Sequence, residues 1–330
     1  MPDAATAAPL ITLDEIRATR AAMPAIIRRT PIVPFAGEPA EIGAERLFLK
    51  LETHQVTNAY KPRAAFAVMN ALSPEARAKG VVMTSSGNFA QGFALAGRIM
   101  KVPVVVVMLD RTSPYKVAAT RAHGAEVYFC GTDAAQRQPT VERVARERGM
   151  TAIDTWEDRP VALGHAGIGI EIVEDLSDVE QVLVPVSSGG MAAGTATAIK
   201  LLRPDIKVIG VQPERANAYY VSRQRGEPTQ IDHWDSMADG LSAVRPGEFP
   251  FRHLQKYMDD VVLIREQDIA DAFRALLFRA KVLGEPAGVV AAAGFLAGKV
   301  DRSKKTCAVV TGGNLTEEMV QKLLAMSKPA

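Results

Sequence analysis

Lys61 stands between Tyr60 and Pro62, after a polar stretch at residues 52–59 and before an alanine-rich run. Pro62 suits the first turn of a helix, where its missing N–H costs nothing. Lys61 is thereby placed at a helix mouth, where a cation opposes the helix dipole. A lysine is ordinarily a solvated surface residue. The chemical alternative is an amine whose pKa is lowered so that it can form a Schiff base. Three further stretches carry usable groups. Ser187, Ser188, Gly189, Gly190 and Met191 offer converging backbone N–H groups at the head of a helix, a cradle for phosphate or else an ordinary tight turn. This stretch lacks the Gly-Lys-Ser/Thr ending of a nucleotide-triphosphate loop and the spacing of a dinucleotide fingerprint. Ser85, Ser86, Gly87 and Asn88 offer hydroxyls and an amide to a carboxylate, or form a serine-rich N-cap. Thr311, Gly312, Gly313 and Asn314 close an apolar run with a polar turn.

The elements that must position these groups alternate. Thr12 and Glu15 form a capping box for a helix running to about Ile27. Strands are expected at residues 47–51, 80–84, 102–109, 125–130, 181–186, 207–212 and 306–310. Helices are expected at 62–72, 90–100, 114–123, 140–149, 161–175, 192–202, 266–283, 287–298 and 317–326, with 213–260 irregular. The valine-rich run 102–109 reads as a strand buried on both faces. Such alternation implies right-handed βαβ units and a parallel sheet, with ligands bound beyond the carboxyl ends of strands. The three polar loops follow three such ends. One lysine, one phosphate cradle, one anion-binding turn and one hydroxyl at a strand end suit a small phosphorylated aldehyde held as a Schiff base, and pyridoxal phosphate fits each part.

Composition sets the bounds. A chain of 330 residues can hold about two domains. Its 39 basic and 37 acidic residues are well mixed, leaving a net charge of +2 and no basic stripe for nucleic acid or a membrane surface. The longest apolar run is too short to span a bilayer. The first nine residues have no signal-peptide pattern and read as a disordered lead-in. Cys130 and Cys307 make no disulfide framework, and a cytoplasmic location is the default. The histidines at 54, 123, 165, 233 and 253 have no metal-ligand spacing. No accessory domain is expected after the last helix.

From about residue 12 onward the chain resembles the fold-type II pyridoxal-phosphate enzymes, in the serine/threonine dehydratase and serine racemase branch. Residues 57–63 (Thr-Asn-Ala-Tyr-Lys-Pro-Arg) resemble the family's Thr-x-Ser-Phe-Lys-x-Arg-Gly segment, and 85–91 its Ser-x-Gly-Asn-His-x-Gln turn. Residues 187–191 resemble its tetraglycine phosphate loop, and Asp239-Gly240-Leu241, Glu285-Pro286 and 311–314 follow in family order. The resemblance implies an α/β fold of two open, twisted, mostly parallel sheets flanked by helices. A small mobile domain at 53–152 would be inserted into a large domain made of 1–52 and 153–330. It makes Lys61 the Schiff-base lysine and general base, packs Tyr60 on the cofactor ring, and sets Asn88 at the ring's 3-hydroxyl. Residues Ser187 to Met191 would hold the phosphate, and Thr311 Oγ would meet the pyridine nitrogen. A neutral hydroxyl does not hold that nitrogen protonated, which favours β-elimination over transamination. The implied reaction takes a β-hydroxy amino acid to a 2-oxo acid and ammonia. Ser85, Ser86, Gly87 and Asn88 would bind the substrate carboxylate, and a homodimer is expected.

Departures from the pattern carry their own expectations. Phe89 replaces the histidine after Asn88, Ala59 and Ala64 flank the lysine segment, and Ser187 and Ser188 replace two glycines. Trp156 lies where relatives carry a different substrate-side segment; with Phe89 it suggests an aromatic-tolerant pocket and a substrate such as phenylserine, alongside threonine or serine. The family's divalent-cation site uses a Glu and an Asp, where this chain has Gln212 and Ala218. No Mg²⁺ or Ca²⁺ is expected there, since a hard dication wants carboxylates, and a monovalent ion stays open. Ser86 stands where racemases keep a second acid/base, so amino-acid racemase is the leading alternative. A β-replacing synthase of the cysteine-synthase type and a non-catalytic cofactor-binding protein are the others.

Overall fold

The computed structural model describes residues 8–35, 44–232 and 234–327; residues 1–7 of the expected lead-in and His233 lie outside them. The larger of two sheets is built from β1 (Ile32–Pro34), β2 (Leu47–Leu51), β7 (Gln181–Pro185), β8 (Lys207–Pro213), β9 (Asp260–Ile264) and β10 (Thr306–Val310). Its order is β1-β2-β10-β7-β8-β9. The smaller contains β3 (Val81–Thr84), β4 (Val104–Met108), β5 (Glu126–Phe129) and β6 (Thr151–Ala152), in the order β5-β4-β3-β6. Every pairing is parallel except β1 with β2. All strands of the smaller sheet fall between β2 and β7 in the chain, so one α/β layer is looped out of another. This is the expected fold class.

Sequence explains the depth of each strand. β4 reads Val-Val-Val-Val-Met and is wholly buried, as a parallel strand covered on both faces must be. β10 is also wholly buried, and its successive side chains serve opposite cores. Ala308 and Val310 join Leu49, Ile209, Phe273 and Phe295 on one face. Cys307 and Val309 join Val184, Val208, Ile199 and Phe251 on the other. α12 (Pro286–Leu296), small-residue and fully buried over most of its length, lies in the first core. On the second face α7 (Arg159–Asp175) is wedged between α2 (Lys61–Ala71) and α8 (Gly190–Leu202). A Cβ at Gly164 would lie 2.5 Å from the Arg63 carbonyl oxygen, so α7 can pass under the first turn of α2 only as glycine.

Three expectations need correction. The first helix, α1 (Leu13–Ala21), has its capping box but ends at Ala21 rather than Ile27, because Pro24 disfavours helical backbone at the residue before it. The stretch 213–260 is not irregular: it holds α9 (Ala218–Arg225), α10 (Glu248–Tyr257) and the start of β9. Pro250 is tolerated because it occupies the first turn of α10. The helix at 266 runs as α11 (Glu266–Ala275) and then a π turn, Leu276–Ala280, closed by Lys281 at φ 58. The remaining helices are α3 (Pro74–Lys79), α4 (Asn88–Met100), α5 (Pro114–Ala122), α6 (Arg137–Arg148) and α13 (Glu317–Met326). Among the described residues no helix is long and apolar enough to cross a membrane.

Candidate active site

After β2 the chain makes two short turns and reaches Lys61 through Thr57 and Asn58, whose φ angles of 66 and 55 lie in the left-handed region that side chains rarely adopt. Such backbone persists only where its surroundings over-determine it. Here the end of β10 does so. Tyr60 N–H donates to the Thr311 carbonyl at 3.1 Å, and Gly313 N–H donates to the Asn58 carbonyl at 2.9 Å. Asn314 Nδ2 donates to the Thr57 carbonyl at 2.7 Å, and Ala59 bridges Gly312. α2 then begins at Lys61 with Pro62 in its first turn.

The Lys61 amine stands over two rings, 3.9 Å from the centre of Phe89 and 4.4 Å from that of Tyr60. The His165 ring, from α7, lies 4.7 Å from Tyr60 and 6.1 Å from Phe89. Burial pulls the Lys61 pKa down to about 7, against the nearby Glu285 carboxylate, which works to raise it. Burial, with the neighbouring Lys61 and Arg63 charges, holds His165 well below the usual histidine range, and its buried Nδ1 meets no partner. Glu285 is pushed up to about 7, chiefly by burial and then by Asp239. Its Oε1 accepts from Asn88 Nδ2 at 2.8 Å, and Asn88 Oδ1 accepts from Asn314 Nδ2 at 2.9 Å. A Cβ at Gly312 would lie 2.5 Å from Glu285 Oε1, so a side chain there would push this carboxylate out of its hydrogen bond with Asn88.

The turn after β3 faces the same place. Gly87 N–H donates to Ser85 Oγ at 3.2 Å, and Ser86 Oγ lies 3.2 Å from Thr112 Oγ. Arg137 donates to Ser86 Oγ at 3.3 Å, and burial lowers this guanidinium's pKa. At the head of α8, Gly189 sits at φ +106, and a Cβ there would press Pro250 and Leu254 at 3.1 Å. The Ser188 carbonyl accepts from Gly247 N–H at 2.9 Å, and Ser187 Oγ accepts from Ala243 N–H at 3.3 Å. Among the described residues the N–H groups of Ser187, Ser188 and Gly189 meet no acceptor. Free N–H groups at a helix head fit an anion. Tyr60 packs against the core cluster that contains Met191, which ties this turn to the lysine.

Beneath the lysine lies a group of charges that sequence reading missed. Arg63 donates to Glu52 through Nε and to Glu171 through Nη1, at 2.9 and 2.7 Å. Lys50 Nζ donates to Glu171 at 2.6 Å and to the Thr30 carbonyl at 2.7 Å, and Thr30 Oγ donates to Glu52 at 2.6 Å. All four charged side chains are at most 5% exposed. The only cue was Lys50 standing inside an apolar strand. Glu285 was legible merely as a landmark, and His165 as one scattered histidine.

Lys61, Tyr60, Phe89, Asn88 and Thr311 are thus joined by ring contacts and hydrogen bonds. Among the described residues the Phe89 ring meets Lys61, Phe93 and His165, with no direct ring contact to Trp156. The tryptophan is 36% exposed and its carbonyl lies beside Gly247, because an Asp154 turn holds its N–H. A surface hollow of about 590 Å³ opens instead beside Asp178, Gln181 and Lys207, at the amino ends of β7 and β8, away from these groups. An amine of lowered pKa, free N–H groups at a helix head and a strand-end hydroxyl fit a phosphorylated aldehyde.

The comparisons agree with that ligand class. Residues 24–312 match the family model described as pyridoxal-phosphate dependent enzyme. The chain is 36% identical over 316 residues to the L-threonine ammonia-lyase of Thermotoga maritima, covering 96% of this chain and 78% of that protein. Threonine deaminase isoform 2 from Solanum lycopersicum, in its processed form, is 30% identical with a TM-score of 0.87, covering 95% of this chain and 93% of that one. Maize serine racemase is 27% identical with a TM-score of 0.88, covering 96% and 98%. The chain therefore belongs to the pyridoxal-phosphate dependent enzymes, in the fold-type II branch of serine/threonine dehydratases and serine racemases, with pyridoxal 5'-phosphate as its cofactor and a lyase's chemistry.

Proposed function

We propose that this chain converts a β-hydroxy amino acid to a 2-oxo acid and ammonia by β-elimination. The supporting observation is the Lys61 amine, pulled to about 7 where a general base works best, at a place where the polar loops converge. Pyridoxal phosphate, when bound, supplies the electron sink that lets a Cα proton leave. Tyr60 would lie on its ring, Asn88 at its 3-hydroxyl and Thr311 Oγ at its pyridine nitrogen. The N–H groups of Ser187, Ser188, Gly189, Gly190 and Met191 would hold its phosphate. Lys61 takes the Cα proton. Ser85, Ser86, Gly87 and Asn88 receive the substrate carboxylate at the head of α4. Residues 53–152, with the smaller sheet, form the domain that closes to exclude water.

Two of the three named relatives carry threonine in their names, and Phe89 adds an apolar wall beside the reacting amine that suits a bulkier β-substituent, phenylserine included. A panel of serine, threonine and phenylserine, followed by 2-oxo acid and ammonia release, tests this. Preference for phenylserine supports the aromatic wall; preference for threonine removes it and keeps the lyase. No 2-oxo acid from any of them overturns the reading.

A second reading, racemisation, is favoured by Ser86, whose Oγ receives a hydrogen bond from Arg137 that would stabilise its deprotonated form. Chiral analysis of serine recovered from heavy water tests it. Racemisation lost in Ser86→Ala while elimination persists supports the second role.

A further inference from the structure

At the end of β8 the Gln212 side chain is buried and satisfied on three sides. Its Nε2 donates to the Val186 carbonyl at 3.2 Å and to the Ala216 carbonyl at 3.3 Å. Its Oε1 accepts from Tyr220 N–H at 2.7 Å. Tyr220 is in the first turn of α9, whose N–H groups have no partner within the helix, and Asn217 before it makes no side-chain cap. One amide therefore closes two carbonyls and one helix N–H at a single corner. Val186 directly precedes Ser187, at the head of the turn described above.

The resemblance to the family raises a divalent cation at this corner, and the residues do not fit one. A hard dication collects carboxylate and carbonyl oxygens. Here neither Gln212 nor Ala218 is a carboxylate, and the two carbonyls that could serve as ligands already face N–H donors. An amide nitrogen draws those oxygens together as a cation would, without the charge.

We propose that the Gln212 amide holds this corner in place of a bound cation, fixing Val186 and thereby Ser187 for phosphate with no metal ion. The inference rests on reading residues 187–191 as the phosphate-holding turn, and goes beyond that reading in saying what positions it. Gln212→Glu keeps the size but has no donor when ionised and only one when protonated, so it cannot hold both carbonyls. Gln212→Glu with Ala218→Asp supplies both carboxylates a cation would need.

The test measures the dissociation constant for pyridoxal phosphate from visible absorbance, and the unfolding temperature, in chelator and in millimolar Mg²⁺ or Ca²⁺. The natural chain is expected to be unmoved by chelator or ion. Gln212→Glu in chelator should bind at least about tenfold more weakly, as loss of the hydrogen bonds to two buried carbonyls implies. The double variant should recover affinity and unfolding temperature when the ion is added. A natural chain that loses affinity in chelator, a Gln212→Glu variant that binds normally in chelator, or a double variant that no ion restores would each overturn the proposal. A natural chain that binds no cofactor would instead overturn the reading of the turn itself.

Discussion

Lys61 and Glu285 titrate in opposite senses, and both effects come from burial. An amine with a folded pKa near 7 and an ordinary value of 10.5 binds fewer protons folded than unfolded across that window. Its contribution to the stability of the cofactor-free protein therefore rises with pH from about 7 upward. Glu285, raised from 4.5 to about 7, binds more protons folded, so its contribution is lost as pH rises between those values. Urea unfolding across pH is expected to show both limbs, with Lys61→Ala flattening the alkaline one and Glu285→Gln the acid one. Chemistry should follow the same sign. Attachment of pyridoxal phosphate, followed by visible absorbance, is expected to quicken as pH passes about 7, where the free amine appears. In Glu285→Gln that rise should move to lower pH, because the carboxylate that favours the ammonium is gone. Lys61→Ala should lose the absorbance, and about 10²–10⁴-fold of turnover through loss of the base alone.

At the scale of elements, what holds the lysine is the junction of β2, α2 and α7. Arg63 joins all three through Glu52 and Glu171, and it sits in the same helical turn as Lys61. Arg63→Met would leave two carboxylates buried without their fork, at a cost of about 3–5 kcal/mol in denaturant unfolding. Arg63→Lys should recover only part of it, since an ammonium cannot make the planar bidentate pairs. Gly164→Ala drives a methyl into the Arg63 carbonyl and is expected to cost about 1–3 kcal/mol by the same measurement. This junction was only half legible in the sequence. Lys61, Asn88, the serine–glycine turns and the strand–helix alternation could be read because local spacing carries them. The four buried charges could not, because each reads alone as a surface residue and only the fold brings Lys50 to Glu171. α9 and α10 escaped notice because Arg, Pro and Gly dominate their surroundings, while β9 falls in the short gap between that stretch and the helix at 266. Spacing in sequence likewise holds no information on whether Trp156 and Phe89 touch, and their rings make no direct contact.

At the scale of the whole molecule, an exposed ion pair joins the two sheet systems, Lys116 of α5 to Asp239 at 3.0 Å. It is too exposed to matter much for stability, about 0–1 kcal/mol. Lys116→Met should leave the unfolding midpoint nearly unchanged. β10 matters far more, since it fills the middle of the larger sheet and pairs Thr306 with both Leu47 and Gln181. A chain cut after Lys305 is expected to leave β2 and β7 with bare edges, to elute as aggregate in gel filtration, and to attach no cofactor. The same strand governs birth as well as shape. β2 and the segment bearing the lysine leave the ribosome about 250 residues ahead of β10, the strand that closes on them. At ordinary elongation rates the nascent amino-terminal half waits on the order of ten seconds or more with an unpaired edge. During that interval Lys61 is expected to behave as an ordinary flexible lysine, the aldehyde-capturing amine forming only once β10 has been made.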